Sequence, residues 1–443
     1  MATRWLLRLS LFANLAFIMR TVLYGACYNT APVDDGDDMM NEYQDTLSKS
    51  RADNDQKLLR LRNITKSPSS PKVNSNTRGA VPMPDLPVGQ CSAEQLRAIK
   101  RQLPSEDCEK HQRAPFNQRC SHTYATKCPD QVWVDDFYTR FHTNSNSTLQ
   151  ESLVGIFVGC NKGMDAVDTL RMLSGNPKFD KNKWRDTFFR SKTLGKTDKN
   201  AGVCLQAVTP MFEIPEGTQA VDAMVHCIEP LPVTARELSR SARELGWASD
   251  GLTVSHAAVA RENGMALFPD GGQLGKENNG IANGCGNNCK EVTVYDLDTY
   301  VEKFAPDVPI NILSIDVEGY DSDVILGGNR TLRRVEYLEF EYNWMGSWRA
   351  MPLSTLISHL DQMGFTCYWP GFDRTIWRIT GCFLKHYNLH YWSNVACINR
   401  RMDSVRSVAE TMETMFLETI ERGDGALRDF DHRFVRNISK YVP

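Results

Sequence analysis

Positive charge is not in excess in this sequence. Across 443 residues, 51 Lys and Arg stand against 54 Asp and Glu, a formal net charge of −3 at pH 7. A chain that binds a polyanion needs a basic face, so this balance, with no recognisable nucleic-acid motif, argues against DNA or RNA as a partner. Metal chemistry is also poorly provided for. No Asp, Asp, Asn set of the kind that holds a divalent ion is recognisable, and Cys285 and Cys289 lack the second pair that a zinc site requires. No metal is expected, although Asp316 and Glu318 are oxygen donors of the type that Mg²⁺ uses. The dinucleotide fingerprint is missing too. The glycines after the first buried strand-like run are spaced Gly159-x-x-x-Gly163. The glycine that brings backbone against a pyrophosphate is therefore absent, which disfavours an NAD(P)-dependent oxidoreductase and points to an adenosyl ligand without phosphates.

What is present starts with Ile312-Leu313-Ser314-Ile315, a short apolar run that delivers Asp316, Glu318 and Gly319 to its own C-terminal end. In an open α/β sheet, ligands sit at the C-terminal ends of strands, so acids there face a pocket. Upstream, Leu153 to Val158 reads as a buried strand running into the glycine turn Gly159-Cys160-Asn161-Lys162-Gly163, and Met164, Val167, Leu170 and Leu173 continue at helical spacing. Strand, turn and helix make the first half of a nucleotide-type site, because glycine lets backbone approach a ligand that a side chain would block. Val225 to Ile228 is a second strand tipped by Glu229 and Pro230, and a carboxylate there can accept from both ribose hydroxyls. Thr234 and Glu237 have capping-box spacing for the helix that follows, which Gly246 can stop.

In order along the chain, the turn Gly159 to Gly163, the tip Ile228-Glu229-Pro230, Ala258-Val259, the leader Val294 to Asp298, and Asp316-Val317-Glu318-Gly319 with the following Val324 to Gly328 resemble the FkbM-type S-adenosylmethionine-dependent methyltransferases. The resemblance spans about residues 150–400. It implies a class I methyltransferase fold, a Rossmann-like α/β sheet of seven strands with the last antiparallel. It also implies the cofactor S-adenosyl-L-methionine and methyl transfer to a hydroxyl oxygen, often on a sugar. The expected cofactor-binding residues are Val158, Gly159, Asn161, Lys162, Gly163, Glu229, Pro230, Ala258, Val259 and Asp316. The expected catalytic residues are Asp316, Glu318 and Glu341, with the division of labour between the first two left open. Residues two apart on a strand point the same way, which would turn both Asp316 and Glu318 to the pocket. Glu341 beside Tyr342, Asn343, Trp344 and Trp348 suits a carbohydrate, whose C–H faces stack on aromatics.

Pattern fills in the rest of the sheet. Leu252 to Val259 suits a third strand, Val335 to Glu341 a fifth, and Phe365 to Trp369 with Val395 to Ile398 the final pair, with a helix over 352–363 closed by Gly364. Two stretches exceed a compact unit. One holds residues 176–185, read either as a lid or platform over the pocket or as a neutral insertion, and the other is the Gly- and Asn-rich segment 271–290, read as a mobile loop. Cys285 and Cys289 are a disulfide pair or free thiols.

The flanks speak to location. Residues 1–27 hold an apolar stretch with no acid before Asp34, equally a cleaved signal peptide or a signal anchor, with Arg4 and Arg8 keeping the N-terminus cytosolic. Residues 28–90 are a polar stem, and 91–149 form a Cys-rich extension in which Cys91, Cys108, Cys120 and Cys128 suggest two disulfides. The catalytic domain covers 150–400. The tail, 401–443, carries Val405, Val408, Met412, Met415, Phe416 and Ile420 at helical spacing, a helix packed on the domain and a candidate homodimer surface. Sequons at Asn63, Asn146, Asn329 and Asn437 agree with a secretory route. The expected protein is a Golgi-lumenal type II membrane glycoprotein, or a secreted one, that O-methylates a glycan or other saccharide. A lumenal carbohydrate-binding pseudoenzyme is the rival.

Overall fold

The run Leu153–Val158 forms β1, the centre of the fold, with all six side chains buried. A strand covered on both faces has no polar alternation, which is why its sequence is continuously apolar. The computed structural model describes residues 89–102, 133–143, 152–190, 220–271, 288–305, 307–371, 374–388 and 393–423, with isolated positions at 213, 214, 216, 218, 274 and 390. All of them belong to one unit, 83–443. The signal or anchor, the stem up to residue 88, Cys108, Cys120, Cys128, Cys285 and the sequons Asn63, Asn146 and Asn437 lie outside the described residues. No helix among the described residues is long and apolar enough to cross a membrane.

In chain order the main elements are α1 (Ala93–Gln102), α2 (Trp133–Thr143), β1, α3 (Met164–Ser174), α4 (Lys181–Phe188), β2 (Ala223–Ile228), α5 (Pro232–Glu244), β3 (Leu252–Ser255), β4 (Ala258–Ala260), β5 (Gly264–Pro269), β6 (Cys289–Asp296), α6 (Leu297–Phe304), β7 (Ile310–Ile315), α7 (Asp321–Leu326), β8 (Val335–Tyr342), α8 (Leu353–Met363), β9 (Phe365–Pro370), β10 (Ile376–Arg378), β11 (Ser393–Asn399) and α9 (Arg406–Arg422). Among the described residues the main sheet runs β10-β9-β11-β8-β7-β1-β2-β3. Strands β3, β2, β1, β7 and β8 are parallel, and β11 is antiparallel to both β8 and β9. Seven of these strands make the expected class I methyltransferase sheet with its last strand reversed. The eighth, β10, is a three-residue edge strand antiparallel to β9 that the sequence reading lacked. Helices cover both faces. A Cβ on Gly155 would meet Thr169 of α3, while the next residue in register, His226 of β2, faces the other way and meets Tyr300 of α6.

Several expectations need correction. The third strand is not continuous: β3 stays in the main sheet, and after His256 and Ala257 the chain enters a separate three-stranded sheet, β4-β6-β5. Helix α5 begins at Pro232 with no side-chain cap, and Thr234 is buried inside it. Proline pre-sets the φ of a first helical turn and lacks the N–H that a cap would satisfy, so the capping box is not used; Glu237 pairs with Arg240 instead. Residues 176–185 are not a lid. Trp184 of α4 is fully buried, stacks on Trp247 at 5.8 Å and donates its indole N–H to Lys162 O at 2.8 Å. Cys91 is not paired within the extension but with Cys382, 291 residues away. Cys289 is disulfide-bonded. The tail helix α9, by contrast, packs on the domain as expected, with Val408, Met412, Met415 and Phe416 buried.

Candidate functional site

A cleft of about 690 Å³, part of it continuous with solvent, opens at the C-terminal ends of β1, β2 and β7. The strand order reverses between β1 and β7, and loops diverge at such a point and leave room for a ligand. The turn after β1 has Gly159, Asn161 and Gly163 in left-handed conformations, at φ 83°, 46° and 72°. Gly159 N–H and Cys160 N–H both donate to Ile228 O at 3.0 Å. A Cβ on Gly159 would lie 1.7 Å from the Asp316 carbonyl oxygen. This glycine is thus required first by protein backbone, because it lets the tip of β1 pass against the tip of β7. Gly163 meets the same demand from side chains, since its Cβ would fall 2.9 Å from Leu238 and 3.0 Å from Trp184.

Glu229 is buried at the tip of β2. Its Oε2 accepts from Asn161 N–H at 2.8 Å and its Oε1 from Leu231 N–H at 2.9 Å. Burial pushes its carboxyl up to about 7, against the pull of these two donors and with a further push from Glu318. Two amides fix the carboxylate plane, and each oxygen keeps a lone pair for a ligand. Beside it, Asn161 Oδ1 is buried with no hydrogen-bond partner, an acceptor that a ligand hydroxyl or amine would satisfy.

At the opposite wall, β7 ends at Ile315, so strand alternation does not orient the acids. Asp316, Val317 and Glu318 all line the cleft, from a turn in which Glu318 has φ 57° and Gly319 φ 96°. A left-handed glutamate is uncommon and persists only where its surroundings hold it. Here Asp321 Oδ1 accepts from Val317 N–H at 3.4 Å and Ser347 Oγ donates to Gly319 O at 3.1 Å. Gly319 packs on Met345 so closely that a Cβ would lie 2.6 Å from its carbonyl carbon. Asp321 is fully buried, and burial raises its carboxyl to about 7, with Glu318 adding to the rise.

Of the residues singled out from sequence, the cleft brings together Val158, Gly159, Asn161, Glu229, Pro230, Ala258, Val259, Asp316 and Glu318. Lys162, Gly163 and Glu341 do not line it. Lys162 is buried behind the turn, and Glu341 is buried and accepts from Asn343 Nδ2 at 2.7 Å. Two aromatics of the expected rim are core: Tyr342 and Trp348 are fully buried, with ring centroids 4.9 Å apart, whereas Trp344 is partly exposed and does not line the cleft. Sequence reasoning missed Leu231, Ala257, Phe268 and Tyr320 on the lining, and Asp321 behind it. Phe268 comes from β5 of the small sheet, and nothing local in its sequence marks it; Tyr320 and Asp321 directly follow the acidic turn and were within reach. Among the described residues no group of three His, Cys, Asp or Glu is placed to hold a metal ion.

The cleft thus carries carboxylates on two walls with an apolar surface between them. Residues 206–367 match the family model of the methyltransferase FkbM domain. Over residues 206–367 this chain is similar to FkbM methyltransferase domains. The matched FkbM span contains Glu229, Ala258, Val259 and the Asp316 to Gly319 turn, whereas β1 and its glycine turn precede it. The chain is also similar to the crystal structure of methyltransferase FkbM from Methylobacillus flagellatus KT, at 11% identity and a TM-score of 0.29, covering 69% of this chain and 58% of that one. The chain thus spans under two thirds of that protein, and a likeness so slight says nothing of the FkbM domain's substrate. No curated protein matches the chain.

Proposed function

We propose that the cleft binds S-adenosyl-L-methionine and that the chain transfers the methyl group to a hydroxyl oxygen, with a saccharide as the acceptor class. The observation that carries this reading is Glu229, held by Asn161 and Leu231 amides across the cleft from Asp316 and Glu318. A carboxylate so fixed suits two ribose hydroxyls, and Asn161 Oδ1 offers a further acceptor beside it. Ala257, Ala258, Val259 and Phe268 supply apolar walls for a purine. Among the described residues the lining contains no Lys or Arg, which suits a ligand without phosphates. When bound, the cofactor would supply an electrophilic methyl carbon on a positively charged sulfur.

The chain's own part is alignment and proton removal. In-line geometry between acceptor oxygen and methyl carbon recovers roughly 7–11 kcal/mol of barrier. Asp316 and Glu318 both line the cleft, and either carboxylate can take the proton of an acceptor hydroxyl, a contribution of about 10²–10⁴-fold. Asp316→Asn and Glu318→Gln should therefore lower turnover by that order for the residue acting as base while S-adenosylhomocysteine binding, measured by calorimetry, persists. Unchanged turnover in both would remove the base from this turn. Absence of any heat with S-adenosylhomocysteine in the unaltered protein would instead favour the carbohydrate-binding alternative. For acceptor class, we look for glycans that gain one methylene mass only when the gene is present.

We also propose a lumenal, secretory-pathway location, in the Golgi if the N-terminal segment is retained as an anchor. Its support is the disulfides Cys91–Cys382, Cys160–Cys227 and Cys367–Cys397, since such bonds persist in oxidising compartments.

A further inference from the structure

The cofactor turn is bonded covalently to the strand beside it. Cys160 sits between Gly159 and Asn161, both on the cleft wall, and its sulfur is joined to Cys227. Cys227 directly precedes Ile228 and Glu229, and these two residues receive three successive amides of the turn: Gly159 and Cys160 N–H on Ile228 O, and Asn161 N–H on Glu229 Oε2. The strap therefore ties the middle of the turn to the strand that carries its acceptors. The turn needs such a restraint. It holds a left-handed asparagine between left-handed glycines, a conformation that a free chain leaves readily.

We propose that the Cys160–Cys227 disulfide positions the cofactor turn, so that the affinity of the cleft for an adenosyl ligand depends on the oxidation of this one bond; the inference rests on the reading of the cleft as an S-adenosylmethionine site. Reduction is a two-electron exchange. A dithiol passes two electrons and two protons to the S–S bond, leaving two cysteine thiols and a cyclic disulfide of the reductant. Cys227 is fully buried but Cys160 is partly exposed, so attack has a route at Cys160. Once the bond opens, Asn161 is free to leave Glu229. The buried carboxylate then keeps only the Leu231 amide, and both the ribose acceptor and Asn161 Oδ1 lose their placement. A bond that served folding stability alone would leave affinity unchanged in every molecule still folded.

The test is calorimetric titration with S-adenosylhomocysteine. Oxidised wild type should bind, and the pair Cys160→Ser with Cys227→Ser should bind about tenfold or more weakly, the size of a lost charge-assisted hydrogen bond, and show no further response to dithiothreitol. The pair Cys367→Ser with Cys397→Ser, which removes the bond between β9 and β11, should bind as wild type and stay sensitive to dithiothreitol. Equal affinity in the Cys160 and Cys227 pair overturns the proposal. Should that pair fail to fold, stepwise reduction of wild type decides: affinity that holds while mass spectrometry of alkylated samples shows Cys160 and Cys227 open overturns it as well. No binding by oxidised wild type overturns the cofactor reading itself, and this inference with it.

Discussion

Glu229 is under two opposed influences that leave a pH signature. Burial favours the neutral acid, while the Asn161 and Leu231 amides favour the carboxylate. Its carboxyl stands at about 7 rather than at the ordinary 4.5. The folded chain therefore holds a proton that the unfolded chain releases between those values. The stability this group contributes is fully present below the lower value and is lost as pH rises through the upper one. Ligand affinity runs the other way, because only the carboxylate offers an acceptor to each ribose hydroxyl. S-Adenosylhomocysteine should bind more tightly at about pH 8 than at about pH 6, and Glu229→Ala should weaken binding about tenfold or more and flatten that dependence. Calorimetry at the two pH values checks both. Gly159 makes a different demand. With 1.7 Å between an added Cβ and Asp316 O, Gly159→Ala should cost about 3 kcal/mol or more, read from the urea midpoint, because neither strand tip can retreat without breaking the sheet.

At the scale of elements, the site is a matter of tips brought together. Strand β7 contributes by ending: Asp316 leaves the strand, and the turn through Glu318 and Gly319 gains its left-handed course from the clamp of Asp321, Ser347 and Met345. The stretch 176–188 contributes from behind. Phe179 and Trp184 pack on Trp247, and Trp184 binds the Lys162 carbonyl under the glycine turn. Trp184→Ala should destabilise the fold by about 3–5 kcal/mol, as loss of a fully buried aromatic does. Thermal unfolding measures it. Were this segment an independent lid, the melting temperature would not move.

Across the whole molecule, the first and last described stretches of the unit are fastened to the edge of the sheet. Cys91 is joined to Cys382, and Arg378 on β10 donates to Gly89 O at 2.9 Å and pairs with Glu413 of α9 at 2.7 Å. At the opposite ends of the strands, Arg140 of α2 forms an ion pair with buried Glu336, which also accepts from Asn311 Nδ2 at 2.8 Å. The added strand β10 and the turn after it thus hold both residues 89–91 and helix α9. Replacing Cys91 and Cys382 together by serine should cost about 2–4 kcal/mol, seen as a lower urea midpoint, with S-adenosylhomocysteine affinity unchanged because the bond is remote from the cleft.

The α/β class, the largely parallel sheet and the tips that carry Gly159, Glu229 and Asp316 were legible along the chain, because a strand buried on both faces and a glycine at a close approach leave local marks. The sequence also announced the stop of α8 at Gly364, which takes φ 100°. Folding in three dimensions was needed to show that Leu252 to Val259 divides between two sheets, that Phe268 reaches the cleft, that Tyr342 and Trp348 are core, and which cysteines meet. Each of those depends on what packs against a residue from elsewhere in the chain, and burial of an aromatic or pairing of a thiol is a property of neighbours in space that periodicity along the chain does not encode.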